Sequence, residues 1–361
     1  MFRRALLIFG CLGVFAVALE LVSLLFYVTG ISGFYHRPWY ADPNSWQKWR
    51  TEVEDWGAWH IPSARARQVV TCFDIEYRSN SIGARDIERS LDSKVRRIIM
   101  LGDSFVEGYG VNMNDRMSNM IEKFVGAPVL NFGSAGHFGI VQYYLIYRDL
   151  ASQFSHDAVV IGFLPDNDFT DNDPEYPKWI SQGYRYRPYY RRSGDQFEIF
   201  YKTDKPERMI TFDDYADYTS PWMIYYRCFW SSGIIAQLRH IKRNWNSSSQ
   251  YSGYFETSPE RLQAAFYFLR QIKRIAGERP VYVFLIPRLR DLQRLRREDS
   301  PVAAAFHSFG DKVGIKVIDL APAMASEPDL DSLYLPCDGH WSRKGHQRAA
   351  ELLSRELVLD P

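Results

Sequence analysis

From residue 95 onward, short apolar runs alternate with longer stretches whose apolar positions recur every three or four residues. The short runs have the length of buried strands, and the longer stretches have the period of helices. Five runs predict strands, at 95–101, 127–136, 157–165, 280–287 and 314–322. Four stretches predict helices, at 116–126, 139–154, 261–278 and 342–357. Strands separated by helices in this way predict a five-stranded parallel sheet with helices on both faces, which is a three-layer α/β fold.

The N-terminal segment has a different pattern. Residues 5–30 are apolar apart from Glu20 and small polar side chains, and roughly 20 apolar residues are enough for a helix to cross a bilayer. No clear small-residue cleavage site follows, which argues against a removable signal peptide. Arg3 and Arg4 precede the span and favour a cytoplasmic N-terminus. We therefore expect a single-pass membrane protein with a transmembrane anchor at residues 1–34 and the rest of the chain on the extracytoplasmic, periplasmic side.

Two further segments complete the predicted domain organisation. Residues 35–90 form a polar, tryptophan-rich approach segment, which suits short helices lying on the membrane or on the domain. Its tryptophans suit either a belt at the membrane interface or packing, and they are Trp39, Trp46, Trp49, Trp56 and Trp59. Residues 91–361 form the α/β domain, with an insertion at about 166–256 between the third and fourth strands. The insertion is longer than ordinary connections and too aromatic for disorder. Its aromatic side chains suit either a second small core or stacking faces for sugar rings.

The amino-acid composition limits which partners and cofactors are expected. The 361 residues carry a formal net charge of +1, so the chain has no basic excess for binding nucleic acid. Cys72, Cys228 and Cys337 allow one disulfide in an oxidising compartment, and the sequence does not select the pair. Neither the cysteines nor the acidic stretch 166–175 has the spacing of a metal site, so we expect no metal and no other cofactor.

Small and polar residues follow the first three predicted strands, and a fourth such segment lies near the C-terminus. The segments are GDSF with Ser104, NFGSAGHFG with Gly136, LPDNDF with Asn167, and CDGHW with Asp338 and His340. Taken singly, each has a plain structural explanation, as a helix N-cap, a turn or a loop. Taken together, the first three are expected to meet, because the carboxyl ends of parallel strands share one edge of the sheet, where ligands bind.

These four segments, in this order, resemble the signatures of the SGNH hydrolases, also called GDSL-type hydrolases. The resemblance implies a flavodoxin-like sheet and a serine esterase. It implies Ser104 as the nucleophile, His340 as its base and Asp338 as the partner of that base. It further implies an oxyanion hole formed by the backbone N–H groups of Ser104 and Gly136 and by the side-chain amide of Asn167.

The chemistry of these residue types agrees with the implied roles, and two departures from the family pattern concern the details. A serine hydroxyl needs a base within hydrogen-bond reach, and fixed N–H donors stabilise an oxyanion. The third signature commonly reads Gly-x-Asn-Asp, whereas PDND places Asp166 beside Asn167. We expect the Asp166 carboxylate to point away from the oxyanion. One residue, not the common two, separates Asp338 from His340, so we expect Asp338 to bond the imidazole differently.

The expected reaction is acyl transfer through an acyl-serine intermediate. Release of the acyl group to water makes an esterase, and release to a sugar hydroxyl makes an O-acyltransferase. The expected location makes acyl or acetyl esters of envelope or exported polysaccharide the first substrate class, with lipid esters as the competing one. A non-catalytic, membrane-anchored binding or scaffold protein is the alternative from another class. Glu20 within the apolar span also allows pairing with a multi-span membrane acyltransferase.

Overall fold

The computed structural model describes residues 2–29, 49–70, 72–136, 138–176, 186–202, 251–336 and 338–357. The chain forms two compact units. The first unit comprises Met1–Pro43, Val69–Cys72 and Ile210–Gln250, and the second comprises Asn44–Gln68, Phe73–Met209 and Tyr251–Pro361. The predicted sheet and all the candidate site residues belong to the second unit.

The helices of the described ranges, in chain order, are α1 (Phe2–Thr29), α2 (Ser104–Glu107), α3 (Met117–Val125), α4 (Ile140–Asp149), α5 (Pro165–Asp168), α6 (Pro259–Ala276), α7 (Leu289–Leu295), α8 (Pro301–Val313), α9 (Ala321–Ala325) and α10 (Arg343–Glu356). The strands are β1 (Arg50–Val53), β2 (Gly57–His60), β3 (Arg65–Val70), β4 (Phe73–Arg78), β5 (Ile98–Gly102), β6 (Val129–Gly133), β7 (Ala158–Phe163), β8 (Pro188–Ser193), β9 (Gln196–Tyr201), β10 (Val281–Leu285) and β11 (Ile315–Asp319).

The five strands predicted from the apolar runs form one sheet in the order β11-β10-β7-β5-β6, and every neighbouring pair is parallel. The predicted five-stranded parallel sheet is therefore confirmed. Every residue of β5, β6, β7 and β10 is buried. Both faces of these strands are thus covered, as is usual for parallel sheets. The register pairs Gly102 with Gly133, so β5 and β6 end side by side at the carboxyl edge.

Serine side chains begin three of the helices that cover the sheet. The hydroxyls of Ser258, Ser300 and Ser342 accept an N–H from the first turn of α6, α8 and α10 respectively. Such caps satisfy N–H groups that have no partner within the helix. Helix α3 ends at Gly126, whose φ of 68° lies in the left-handed region that favours glycine. These local signals explain why the predicted helix boundaries lie within a few residues of the observed ones.

The approach segment differs from its prediction. In place of the expected short helices, the described residues 49–70 and 72–90 contain two small two-stranded sheets, β1 with β2 and β3 with β4. Strands β1 and β2 have four residues each, whereas β4 has six residues that alternate between buried and exposed, a strand pattern that the expectation of helices overlooked. Trp49, Trp56 and Trp59 are buried, so these three side chains pack within the protein. Trp39 and Trp46 lie outside the described residues.

The described part of the insertion contains the antiparallel hairpin β8–β9. Tyr189, Tyr190 and Phe197 of this hairpin are buried, so these aromatic side chains serve packing. Residues 177–185 and 203–250 of the insertion lie outside the described residues.

Helix α1 occupies most of the segment for which we expected a transmembrane anchor. In the ranges that the structure describes, no helix has the combination of length and apolar character needed to span a bilayer. The expected anchor is therefore not supported. Cys72 is disulfide-bonded and Cys11 is a free thiol, whereas Cys228 and Cys337 lie outside the described residues.

Candidate active site

The chain leaves strand β5 through Gly102 and Asp103 and begins helix α2 at Ser104. Asp103 is the N-cap of this helix, because its carboxylate accepts the N–H of Phe105 at 2.9 Å. A Cβ on Gly102 would lie 2.2 Å from Cγ2 of Val106, so the strand end and the first helical turn are too close for a side chain. The close approach explains the glycine at position 102, and the N-cap explains the aspartate at position 103. The same turn places the Ser104 hydroxyl at the carboxyl edge of the sheet.

The structure brings together the three residues proposed as nucleophile, base and acid. Oγ of Ser104 lies 2.7 Å from Nε2 of His340, although 236 positions separate the two residues in the sequence. Nδ1 of His340 contacts Oδ1 of Asp338. A carboxylate accepts hydrogen bonds, so Nδ1 carries the proton and Nε2 keeps a lone pair facing the serine hydroxyl. This is the arrangement in which imidazole can remove the hydroxyl proton.

A tight turn explains how Asp338 reaches the imidazole across a single intervening residue. Gly339 has a φ of 86°, in the left-handed region that is strained for other residues. Its N–H donates to the carbonyl of Leu335 at 3.0 Å, and the N–H of Leu335 donates to the carbonyl of His340 at 2.7 Å. The shorter spacing, which we expected to change the bonding of Asp338, is thus accommodated by the backbone, and Asp338 contacts Nδ1 directly.

Aromatic rings line the imidazole of His340. The ring centroids of Phe105 and Tyr109 lie 4.9 Å and 4.6 Å from it. The Tyr109 hydroxyl accepts a hydrogen bond from Nε2 of Gln68 at 2.8 Å, and Phe105 packs edge-on against Trp341. Since Phe105 lies in α2 and Tyr109 follows directly after its C-cap Gly108, the helix that carries the nucleophile also orients the base.

Asn167 lies in helix α5, directly after strand β7. Its Nδ2 donates to Oδ2 of Asp103 at 3.2 Å, and its Oδ1 has no hydrogen-bond partner among the described residues. Burial raises the pKa of the Asp103 carboxyl, while the N–H of Phe105 acts in the opposite direction. A primary amide carries two N–H bonds, so the bond to Asp103 leaves one available for an oxyanion.

The loop that carries Gly136 is fixed against helix α2; we refer to residues 133–136 as the oxyanion loop. The N–H of Ser134 donates to the carbonyl of Gly102 at 3.1 Å, and the N–H of Ala135 contacts Oε2 of Glu107. Gly136 has a φ of 101°, which disfavours any residue with a Cβ. The motif pattern did not single out Glu107, although its position one helical turn after Ser104 is a signal that the sequence contains.

Asp166, the neighbour of Asn167, is held by two arginines that follow strand β10. Its Oδ2 lies 3.5 Å from Nε of Arg288 and contacts Nη2 of Arg290. Its Oδ1 accepts the N–H of Gly253 at 3.3 Å. The carboxylate is therefore neutralised, a feature that the sequence analysis missed. The only signal in the sequence was the basic PRLR segment at the end of the fourth predicted strand.

The acidic stretch 166–175 contributes to the fold around the site. Asp168 accepts hydrogen bonds from the hydroxyl of Tyr143 and the N–H of Leu164, both at 2.8 Å. Burial, with a further contribution from Asp103, raises the pKa of Asp168 well above its usual range. Within the described ranges, no group of three or more His, Cys, Asp or Glu side chains is arranged to hold a metal ion.

Comparison with known proteins gives structural likenesses only. No protein-family model matches the chain, and no curated protein matches it in sequence. The structure is similar to a lipase/acylhydrolase from Enterococcus faecalis, with 14% identity, coverage of 72% of this chain and 94% of that chain, and a TM-score of 0.39. It is also similar to a member of the lipolytic G-D-S-L family from Veillonella parvula, with 12% identity, coverage of 72% and 97%, and a TM-score of 0.39. A lipase from a goat rumen metagenome gives 14% identity, coverage of 72% and 96%, and a TM-score of 0.35. At identities and TM-scores this low, the likenesses carry no argument about function, which is derived below from the geometry of the site.

Proposed function

We propose that the protein is a serine hydrolase or acyltransferase that acts on ester bonds through an acyl-serine intermediate. The observation that carries the proposal is the contact chain from Oγ of Ser104 to Nε2 of His340, at 2.7 Å, and from Nδ1 of His340 to Asp338. A serine that only caps a helix needs no imidazole at its hydroxyl. The chain of contacts matches the requirements of nucleophilic catalysis.

In the proposed reaction, Ser104 attacks the ester carbonyl while His340 removes the hydroxyl proton. Asp338 holds the imidazole in the required tautomer and stabilises its charged form. The imidazolium then returns the proton to the leaving alkoxide, which departs as an alcohol and leaves the acyl group on the serine oxygen. A second hydroxyl, from water or from a sugar, gives its proton to His340 and attacks the acyl carbon. The bond between that carbon and Oγ of Ser104 then breaks, and the imidazolium returns the proton to Oγ, which restores the free serine.

The tetrahedral oxyanion of each step requires donors at the same edge of the sheet. The candidates are the N–H of Ser104 at the start of α2, the N–H of Gly136, and the second N–H of the Asn167 amide. Each preorganised donor of this kind is typically worth ~3 kcal/mol of transition-state stabilisation.

Active-site labelling and turnover test the proposal. We expect a fluorophosphonate probe to label the wild-type protein and p-nitrophenyl acetate to be hydrolysed, and S104A to abolish both. S300A is the matched control, because the buried Ser300 hydroxyl caps helix α8 and donates to the carbonyl of Tyr254, with no role in the proposed reaction. A wild-type protein that is folded but neither labels nor turns over esters would favour the non-catalytic scaffold.

The proposed substrates are acyl or acetyl esters of envelope or exported polysaccharide, with lipid esters as the competing class. The support for the polysaccharide is the expected extracytoplasmic location, which rests on the sequence pattern of residues 5–30. Incubation with acetylated oligosaccharides and with lipid esters, followed by mass spectrometry, separates the substrate classes. The same spectra separate the two reactions, because an esterase releases free acid and a transferase adds the acyl mass to a sugar.

The proposed location and membrane partner have separate tests. Fractionation of cells that express the full chain, followed by protease treatment from the periplasmic side, tests the anchor and its orientation. Extraction in detergent and identification of co-purifying proteins tests pairing with a multi-span acyltransferase. Recovery of the full chain in the wash fraction without detergent would contradict both.

A further inference from the structure

We infer that Glu107 and His60 are positioning residues that tether the oxyanion loop to the nucleophile helix. The inference rests on the proposed function, in which the N–H of Gly136 is an oxyanion donor. Neither side chain would touch the substrate. Both act through the backbone of the loop, and one of them comes from the approach segment, outside the predicted α/β domain.

Glu107 connects the nucleophile helix to the loop. It is the last residue of α2, three positions after Ser104, and its side chain is fully buried. Its Oε2 accepts the N–H of Ala135, the residue directly before Gly136. A buried N–H without a partner is costly, so this bond favours one position of the loop relative to the helix.

His60 holds the second carboxylate oxygen of Glu107 from the opposite side. Nε2 of His60 lies 3.2 Å from Oε1 of Glu107, and neither side chain is exposed to solvent. Nδ1 of His60 lies 2.8 Å from the carbonyl oxygen of Gly83. The rings of Trp49 and Trp59 lie 4.6 Å and 5.1 Å from the imidazole. The end of strand β2 therefore fixes Glu107, and Glu107 fixes the loop.

The imidazole of His60 is anchored through its other nitrogen. A backbone carbonyl can only accept, so Nδ1 of His60 carries a proton and donates it to the carbonyl oxygen of Gly83. The 3.2 Å contact between Nε2 of His60 and Oε1 of Glu107 is within ion-pair distance but does not have the geometry of a hydrogen bond. His60 therefore positions the Glu107 carboxylate through this close contact.

Arg85 stabilises the same end of helix α2. Its Nη1 donates to the carbonyl oxygen of Glu107 at 3.0 Å and contacts that of Gly108, and its Nη2 donates to the carbonyl of Val111 at 2.7 Å. Burial lowers the pKa of Arg85, and the nearby Glu107 carboxylate opposes that effect. Glu107 is therefore also a counter-charge, which must be separated from its tethering role in any experiment.

Two substitutions at Glu107 separate the tether from the charge. E107Q keeps the tether, because the amide oxygen can accept the N–H of Ala135 and the side chain keeps its size against His60. E107A removes both contacts. We expect E107A to raise the amide exchange rate of the oxyanion loop at least about tenfold, measured by mass spectrometry. We expect it to lower kcat for p-nitrophenyl acetate about tenfold or more at constant KM. E107Q should stay within about threefold of wild type in both measurements.

S300A serves as the control for this test, and H60Q serves as a second variant. S300A removes a buried cap elsewhere in the domain and should lower stability without changing loop exchange or kcat. Unchanged loop exchange in E107A, or equal exchange in E107A and E107Q, would overturn the inference. If E107A does not fold, H60Q tests the tether instead, because glutamine can keep only one of the two contacts that the imidazole makes. We expect the amide exchange rate of the oxyanion loop in H60Q to rise at least about threefold. An unchanged exchange rate would overturn the inference.

The exchange measurement needs no substrate, so the two proposals fail separately. A wild-type protein without ester turnover would end the proposed function, while the loop exchange of the variants would still decide the tether. Normal turnover with a loop that does not respond to E107A would end the tether and leave the proposed function standing.

Discussion

The charge on Asp166 lies one residue from Asn167, a proposed oxyanion donor. An isolated carboxylate about 8 Å from a developing negative charge would raise its energy by about 2 kcal/mol at an effective dielectric constant of about 20. Arg288 and Arg290 both contact this carboxylate, so the site has a compensating positive charge. The pair of arginines thus offsets the negative charge of an acid that lies directly beside Asn167.

Removal of one arginine should therefore slow catalysis, because the Asp166 carboxylate would then repel the developing oxyanion. We expect R290Q to lower kcat for p-nitrophenyl acetate about fivefold, equivalent to ~1 kcal/mol. Replacement of the acid in the same background, as R290Q with D166N, should recover most of the loss. R294Q is the matched control, since Arg294 lies in the same helix and pairs with Glu256 and Glu298. A double variant no faster than R290Q would show that the loss has another cause.

At the scale of elements, the site depends on how closely strand β6 approaches helix α2. A Cβ on Gly133 would lie 2.3 Å from the backbone nitrogen of Glu107 and 2.7 Å from the carbonyl carbon of Val106. These are backbone atoms, so no side-chain rotation can make room. The glycine therefore sets the distance between the two elements that carry the nucleophile and the oxyanion loop.

A methyl group at this position should force the two elements apart. We expect G133A to lower the free energy of unfolding by about 2 to 3 kcal/mol, as for overpacked cores, and to lower kcat as well. G126A is the control: its φ of 68° is strained for alanine, but a Cβ there would have no neighbour within 4 Å. It should cost about 1 kcal/mol and leave kcat unchanged. Thermal unfolding and ester kinetics of both variants check this, and equal losses would contradict it.

The sequence was informative wherever the structure depends on local pattern. The sheet was predictable because its strands are buried on both faces and appear as continuous apolar runs. The position of Ser104 at the carboxyl edge of the sheet followed from the rule that ligands bind beyond the carboxyl ends of parallel strands. The approach segment was misjudged although β4, with the sequence FDIEYR, alternates apolar and polar residues as a half-buried strand does. The contacts of His60 and Asp166 with distant residues depend on tertiary packing, and no spacing in the sequence indicates them.

At the scale of the whole molecule, helix α10 is joined to helix α3 by a buried histidine. Nδ1 of His346 accepts the N–H of Met117, the first residue of α3, at 3.3 Å. The His346 side chain also packs edge-on against Trp341. Burial, reinforced by Arg85, His340 and Arg116, lowers the pKa of His346 to about 3. The folded protein therefore holds this imidazole in its neutral form.

Acid should weaken the folded state through this residue. The unfolded chain binds a proton at His346 below a pH of about 6.5, whereas the folded chain does so only near pH 3. The contribution is fully present above pH 6.5 and falls by about 1.4 kcal/mol per pH unit below it. We expect denaturant titrations at pH 7.5, 6 and 5 to show this loss, and H346Q to flatten it. If the unfolding free energy of H346Q falls with pH as steeply as that of the wild type, the acid sensitivity comes from other groups.

The contact between residue 104 and residue 340 also has a temporal consequence. While the ribosome is still translating the part of the mRNA between the two residues, the Ser104 hydroxyl is present but His340, its proton acceptor, has not yet been synthesised. A polypeptide that stops before His340 therefore carries the proposed nucleophile without its base. Under the proposed function, reactivity arises only once the chain has been extended by the 236 positions that separate Ser104 from His340.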